Sequence, residues 1–296
     1  MNTLENEKII LVNLDSNNSK KVINYLNKTN QNFYSSNDVE VSKGIIKQKL
    51  NQGYKEFIIC GGDGSINKFI NEYQKIHLNK RKGISLGIIP CGRANDLARA
   101  LNIHFNIEKA FDTLQNKKTK QIDIIKVNNS CFITGGGLGL PAEIIVDVNS
   151  LSKNLFTRAI KKILGGSIYL WITLKKFIFG YTGIEDTRNK LLAVYILNQS
   201  FIGRNFNIAP EAKNNDGYLD AKFVKIPSTL LSKFKTLSKG SKGEIDKLNW
   251  VSKEKVKKLN IILKEPSYFM GDGELFEKGR EFKIKVIPKA INIFVN

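Results

Sequence analysis

The segment Phe57-Ile-Ile-Cys-Gly-Gly-Asp-Gly-Ser-Ile-Asn67 restricts the possible folds more than any other part of the chain. An apolar strand ends in two glycines, an aspartate and a third glycine. A helical pattern follows at once, with Ile66, Phe69, Ile70 and Tyr73 at i, i+3, i+4 and i+7 on one face. The surrounding sequence has the same character. Lys8–Val12 reads as a strand, and Val41, Ile45, Ile46 and Leu50 have helical spacing. Glu56–Cys60 and Ile84–Ile89 read as further strands, the latter followed by a helix from about Asn95 to Leu101. Strand–helix alternation with glycine-rich turns predicts a parallel sheet covered by helices.

After Gln121 the character changes. Ile122–Val127, Leu191–Leu197, Leu219–Ile226, Leu259–Leu263, Phe282–Ile287 and Ile291–Val295 are strand-like, with turn signals between them. Two segments stand apart from this β-rich half. Leu151–Phe179 looks helical, and the lysine-heavy Ser228–Lys258 reads as a helix plus a surface connection.

The chain has 296 residues with 42% hydrophobic and 25% charged residues, which excludes a mainly disordered or collagenous chain. Lys+Arg outnumber Asp+Glu by 47 to 27, a formal net charge of +20, so anionic partners are favoured. No clustered Lys/Arg with interleaved aromatics marks a specific nucleic-acid site. Cys60, Cys91 and Cys131 are too scattered for a disulfide framework or a structural zinc site and read as buried thiols in a reducing compartment. His77 and His104 have no metal-ligand spacing. Met1–Lys8 is polar, unlike a signal peptide, and no run of about 18 or more apolar residues suggests a membrane span. The expectation is a soluble, cytoplasmic protein able to work at a membrane surface.

Four loops carry candidate chemistry. In the Gly61-Gly62-Asp63-Gly64-Ser65 turn, glycines let backbone N–H groups approach an anion, and the helix N-terminus favours phosphate. Asp63 could hold a magnesium ion beside it. The same residues also read as a plain strand-to-helix turn. Leu86-Gly-Ile-Ile-Pro-Cys-Gly-Arg-Ala-Asn-Asp-Leu-Ala98 repeats this architecture, with Asn95 either capping the helix or facing a nucleotide. Both turns would lie at one sheet edge, where ligands of parallel sheets bind. Ile208-Ala-Pro-Glu-Ala-Lys-Asn-Asn-Asp-Gly-Tyr-Leu-Asp220 holds Asp216, a candidate hard-cation ligand or part of a simple β-turn. Tyr268-Phe-Met-Gly-Asp-Gly-Glu274 sets Asp272 and Glu274 two residues apart, either a general-base pair or a solvated turn.

Taken together, the four loops resemble the diacylglycerol kinase catalytic-domain family, which includes bacterial lipid kinases and sphingosine and ceramide kinases. The family's GGDGT stands as Gly61–Ser65, and its PxGTxND-hydrophobic-A as Pro90–Ala98. Its APxAxxxDGxLD stands as Ala209–Asp220, after Asn198 and Gly203, and its DGE as Asp272–Glu274. Phe132 and Gly137-Leu138-Gly139 look like the family's glycine-bearing strand at the start of the second domain. The resemblance implies an N-terminal α/β nucleotide-binding domain, like that of phosphofructokinases and NAD kinases, over 1–124. The terminal segment 282–296 would complete it, and a β-rich sandwich-like lipid-substrate domain would span 125–281. It further implies ATP and Mg²⁺ as cofactors and a lipid hydroxyl as acceptor. Gly62, Asp63, Gly64, Ser65, Asn67 and Asn95 would surround the ATP phosphates, with Asn13 and Ser36 as amino-terminal nucleotide contacts. Asp272 would be the base, partnered by Glu274. A structural magnesium would take the Asp216 side chain and the carbonyls of Lys213 and Tyr218.

Three positions depart from the family pattern. The N-P-x-S-G opening is Asn13-Leu14-Asp15-Ser16-Asn17, the Thr of PxGTxND is Arg93, and the acidic residue usual after GGDGTxN is Lys68. Arg93 and Lys68, with Gly92, add to the candidate nucleotide contacts. They either bind phosphate or fill the site, so a family member of weak or absent activity is the alternative, as is an NAD kinase-like small-molecule kinase. The basic surface predicts peripheral association with the inner face of an anionic membrane. Leu151–Phe179, with Trp171 flanked by Lys161, Lys162, Lys175 and Lys176, reads either as an interfacial helix or as a buried one. A homodimer is compatible with the sequence.

Overall fold

The computed structural model describes residues 7–150, 167–178, 181, 183–187, 189–203 and 206–296. Its first half runs β1 (Lys8–Asn13), α1 (Ser19–Lys28), β2 (Tyr34–Ser36), α2 (Val39–Gln52), β3 (Glu56–Gly61), α3 (Asp63–Lys75), α4 (Leu78–Arg81), β4 (Ser85–Pro90), α5 (Asp96–Ala100) and α6 (Ile107–Gln115). β2, β1, β3 and β4 pair in that order, all parallel. Each central strand is apolar on both faces, as a sheet covered on both sides requires. Ile46 and Leu50 of α2 and Phe69 and Ile70 of α3 pack on one face with Phe57 and Ile59. Val22 and Leu26 of α1 and Phe111 and Leu114 of α6 pack on the other with Ile58 and Cys60. Local signals set the helix ends. Asp38 accepts the Glu40 and Val41 N–H groups at 2.7 and 3.0 Å, and Gly53 closes α2 at φ 94°.

The second half runs β5 (Thr119–Val127), β6 (Ser130–Phe132), β7 (Gly135–Gly139), α7 (Leu140–Ser150), α8 (Ser167–Ile178), β8 (Ile184–Glu185), β9 (Lys190–Leu197), β10 (Phe201–Ile202), β11 (Phe206–Asn207), β12 (Leu219–Lys225), α9 (Leu230–Ser241), β13 (Val251–Val256), β14 (Lys258–Ser267), β15 (Phe269–Gly271), β16 (Glu274–Leu275) and β17 (Gly279–Phe294). One sheet has the order β13-β12-β9-β7-β15-β16, and β8 joins β9. Facing it are the far ends of β5, β14 and β17. Ile125, Ile261, Phe282 and Ile284 meet Leu138, Val194, Leu219 and Phe269 in a shared core. This is a sandwich fused to an α/β domain.

β17 does the fusing. Its last residues pair in parallel with β4 (Asn292↔Ser85, Ile293↔Leu86), and Ile284–Ile287 and Ile291–Phe294 pair antiparallel with β5. The expected strands at 282–287 and 291–295 are thus one 16-residue strand, with a register shift between Ile287 and Ile291. β5 is likewise shared, so the expected boundary at 124/125 falls inside a strand. Within Ser228–Lys258, α9 is the expected helix, but the rest is not a surface connection. Val251–Val256 pairs with β12 as an edge strand with exposed lysines, a pattern that hides an apolar alternation. Helices α1 and α6 and the short β2 were not anticipated. Of the helical reading at Leu151–Phe179, residues 151–166 and 179 lie outside the described residues. Ile172 of α8 is buried beside Val148, whereas Trp171 is 66% exposed. Among the described residues no helix is long and apolar enough to cross a membrane.

Candidate active site between the two domains

β3 and β4 end side by side, and their turns touch. A methyl group on Gly62 would sit 2.9 Å from the Gly92 Cα, and one on Gly92 would sit 2.4 Å from the Gly62 Cα. Only paired glycines allow this approach of two backbones. Gly62 caps α3 without a side chain, and Ser65 and Ile66 N–H bond back to its carbonyl at 2.9 and 3.2 Å. The positive end of α3 therefore opens towards the cleft.

Asn13, at the end of β1, donates from Nδ2 to Ser65 Oγ at 2.9 Å. It thus joins the glycine turn even without the proline and glycine usual beside it. Asn13, Ser36, Ser65 and Lys68 together line a cavity of about 30 Å³ over the ends of β1 and β3. Arg93 is exposed on the neighbouring turn.

Two of the expected roles change. Asn95 does not cap α5 with its side chain. It sits at φ 51°, and its carboxamide folds back on Gly92, accepting from the N–H and donating to the carbonyl, both at 2.9 Å. The cap comes from Asp63, whose carboxylate accepts the Asp96 and Leu97 N–H groups at 3.1 Å each. Burial raises the Asp63 pKa against the pull of those N–H groups. Asp63 thus ties the two turns together, each of its carboxylate oxygens accepting a backbone N–H.

The distal loop closes the site. Asp272 (φ 51°) and Gly273 (φ 80°) form the two-residue link between β15 and β16, the positive-φ pair that a tight hairpin needs. Asp272 is buried. It accepts from Ile133 N (3.0 Å), Thr134 N (2.8 Å), Thr134 Oγ1 (2.5 Å) and Asn67 Nδ2 (2.9 Å). Burial still outweighs these donors and pushes its pKa up to about 6. Asp272 is therefore a buried strut joining α3 to the sandwich, its carboxylate oxygens taken by protein donors. The exposed carboxylate is Glu274. A methyl group on Gly64 would meet its Oε1 at 2.8 Å, so it lies directly over the glycine turn. Desolvation raises its pKa, opposed by Lys68 and Lys43. Of the sequence-selected residues, Asn13, Gly61, Gly62, Asp63, Gly64, Ser65, Asn67, Lys68, Gly92, Asn95, Asp272 and Glu274 converge here.

Asp216 does not join them. Its Oδ1 accepts the Tyr218 N–H at 3.1 Å, and its Oδ2 pairs with Lys255 Nζ at 2.7 Å. Lys255 and Lys257 both lie over the Tyr218 ring. An ammonium already balances the single carboxylate expected to hold a cation with the Lys213 and Tyr218 carbonyls, so the loop as built does not fit the magnesium. Among the described residues no cluster of three or more His, Cys, Asp or Glu side chains could hold a metal ion.

One buried residue escaped the sequence reading. Asp123, fully buried in β5, accepts Gly217 N at 2.6 Å and Lys289 N at 2.7 Å. Its carbonyl takes Asn198 Nδ2, which also bonds the Ile133 carbonyl. A polar seam thus runs from the Asp216 loop through Asp123, Asn198 and Ile133 to Asp272. The available signal was an acid inside the apolar run Ile122–Val127.

Comparison with known proteins agrees with this architecture. The model of the diacylglycerol kinase catalytic domain matches residues 10–127, and that of the YegS C-terminal NAD kinase beta sandwich-like domain matches 177–295. A Pseudomonas aeruginosa protein named "Probable lipid kinase YegS-like" is 26% identical over 85% of this chain and 80% of its own length. A Staphylococcus carnosus diacylglycerol kinase is 29% identical over 77% of this chain and 72% of its own length. A crystal structure of a diacylglycerol kinase from Bacillus anthracis superposes with a TM-score of 0.70 at 16% identity, covering 100% of this chain and 98% of that one. An Archaeoglobus fulgidus NAD kinase in complex with ATP superposes with a TM-score of 0.52 at 11% identity, covering 98% and 94%.

Proposed function

Because the chain belongs to the diacylglycerol kinase catalytic-domain family and carries the sandwich-like second domain of YegS-type lipid kinases, we propose that it transfers the γ-phosphoryl group of ATP to a lipid hydroxyl, that of diacylglycerol or a related lipid. The observation that carries the reading is Glu274 lying over Gly64, which sets a carboxylate beside the turn suited to phosphate.

In this reading ATP enters as its magnesium complex, a substrate whose metal spreads the phosphate charge. The phosphates rest on the backbone of Gly62–Ser65 at the positive end of α3. The Asn13–Ser65 pair and the Lys68 ammonium stand beside them. Gly62 and Gly92 allow the approach, and Asp63 keeps the two turns in register. Glu274 accepts the proton of the lipid hydroxyl as its oxygen attacks in line. Asp272 keeps the hairpin, and hence Glu274, in position. Catalysis is mostly positioning and charge neutralisation. The +20 net charge supports the further expectation that the enzyme works at an anionic bilayer from the cytoplasmic side.

The test is transfer of radiolabelled γ-phosphate from ATP to a panel of lipid hydroxyls in anionic micelles. A labelled lipid supports the reading and names the substrate. One observation favours the second reading, a family member without kinase activity: protein donors engage both Asp63 and Asp272. A blank panel alongside measurable ATP binding selects it.

A further inference from the structure

A second cleft, of about 840 Å³, opens between the domains on the far side of α5. That is the size range of small-molecule sites. Its walls come from four separate stretches: α5 and the loop after it, the start of β5, the turn after β9, and the loop ahead of Asp216. Three cations line it: Arg99, Lys120 and Lys213. Phe105 and Phe201, each 44% exposed, add apolar surface, and the Arg99 guanidinium lies 4.6 Å from the Phe105 ring centroid. Asp96 also lines the cleft, but its carboxylate takes the Gly203 N–H at 2.6 Å. Lys120 bonds the neutral Asn214 carboxamide, so its charge has no acid partner among the ion pairs of the described residues.

An independent feature points to a ligand. Gln199 is 2% exposed and forms part of the cleft wall. Its Nε2 donates to the Phe201 carbonyl at 3.3 Å, whereas its Oε1 is buried without a hydrogen-bond partner among the described residues. Buried acceptors are nearly always satisfied, and an orphan in a native structure needs an explanation. This oxygen has no solvent access as it stands, so it reaches a ligand hydroxyl by rotation of the Gln199 side chain towards the cleft.

We infer that this cleft binds a phosphate monoester of a small polyol. The phosphate meets Lys120, Lys213 and Arg99, a hydroxyl meets Gln199 Oε1, and the carbon skeleton lies against the two phenylalanines. Ordinary and charge-assisted hydrogen bonds recognise such a group without any metal. The cleft also borders the catalytic turn, because α5 carries Arg99 on this side and is held by Asp63 on the other. The same headgroup chemistry could arrive free in solution or on a lysophospholipid, and the experiment separates the two.

The full chain is titrated calorimetrically with glycerol 3-phosphate, both without ATP and with saturating ATP. In parallel it is titrated with phosphatidylcholine vesicles with and without lysophosphatidic acid. Saturable binding to either probe is expected. K120M/K213M should weaken it at least 10-fold and Q199L roughly 3- to 10-fold, with melting curves close to that of the parent chain. Binding of glycerol 3-phosphate identifies a soluble ligand; binding only of the lysophosphatidic acid vesicles identifies a lipid headgroup. No binding of either probe overturns the inference. So does binding that K120M/K213M leaves unchanged, or that is competed by ATP, since it then lies in the glycine turns. None of these outcomes depends on kinase activity.

Discussion

The second half of the chain contains two Asp-Gly loops, Asp216-Gly217 and Asp272-Gly273, that look alike in sequence and end in opposite environments. Asp216 is partly exposed, and Lys255 neutralises it at 2.7 Å. Asp272 is buried and accepts from three residues, Asn67 on α3 and Ile133 and Thr134 in the link between β6 and β7. The dipeptide supplies only a turn. The surroundings decide whether the carboxylate is a surface charge or a strut. A buried polar seam through Asp123 and Asn198 joins the two loops, so the same pair of residues serves as the outer and inner end of one network.

The largest effect should come from breaking the inner loop. Asp272→Ala leaves the Ile133 and Thr134 N–H groups, the Thr134 hydroxyl and the Asn67 amide without their acceptor. Chemical denaturation should show a loss of roughly 3–5 kcal/mol. A loss below about 1 kcal/mol would mean that the carboxylate is solvated rather than structural.

The next test uses protons. The Asp272 pKa is raised to about 6 in the folded chain, against 3.8 as a free side chain. The folded state therefore binds more protons between those values, and this group's contribution to stability falls as pH rises from 4 to 6. The difference amounts to about 3 kcal/mol at most. It should appear as a pH slope in the melting temperature that Asp272→Asn lacks.

Glu274→Gln tests the division of labour within the inner loop. The proposed phosphoryl transfer should fall about 10²-fold with little change in melting temperature. Gly64→Ala reaches the same carboxylate from below. Its methyl group meets only the movable end of Glu274, so the fold should survive while turnover falls on the order of 10-fold. Normal turnover in both would remove Glu274 from the chemistry.

The smallest effect belongs to the outer loop. Asp216→Ala removes a half-exposed ion pair and should cost about 0–1 kcal/mol, equally with and without Mg²⁺. A loss that appears only with Mg²⁺ would show that a cation displaces Lys255 from the loop.

Local interactions explain what was legible in advance. The strand-turn-helix at Phe57–Tyr73, the repeat at Leu86–Leu101 and the β-rich second half are written in periodicity and in glycines, which act within a few residues. The family resemblance likewise lies in short motifs, and three of the four loops it names meet at the glycine turns. Less was legible where one strand serves two partners. β17 reads as two strands because the alternation is lost at its register shift, and β13 is masked by edge lysines.

The amino-acid order alone determined that two glycine turns follow two parallel strands and that a distal Asp-Gly-Glu exists. Tertiary structure decided which oxygen faces whom. Asp63 became a cap for α5, Asn95 a brace on Gly92, Asp272 a strut and Glu274 the accessible acid. The physical reason is reach. A turn is chosen by the torsions of two or three residues, but a carboxylate's role depends on desolvation and on donors from residues as distant in sequence as Asn67 is from Asp272, which only the packed chain brings together.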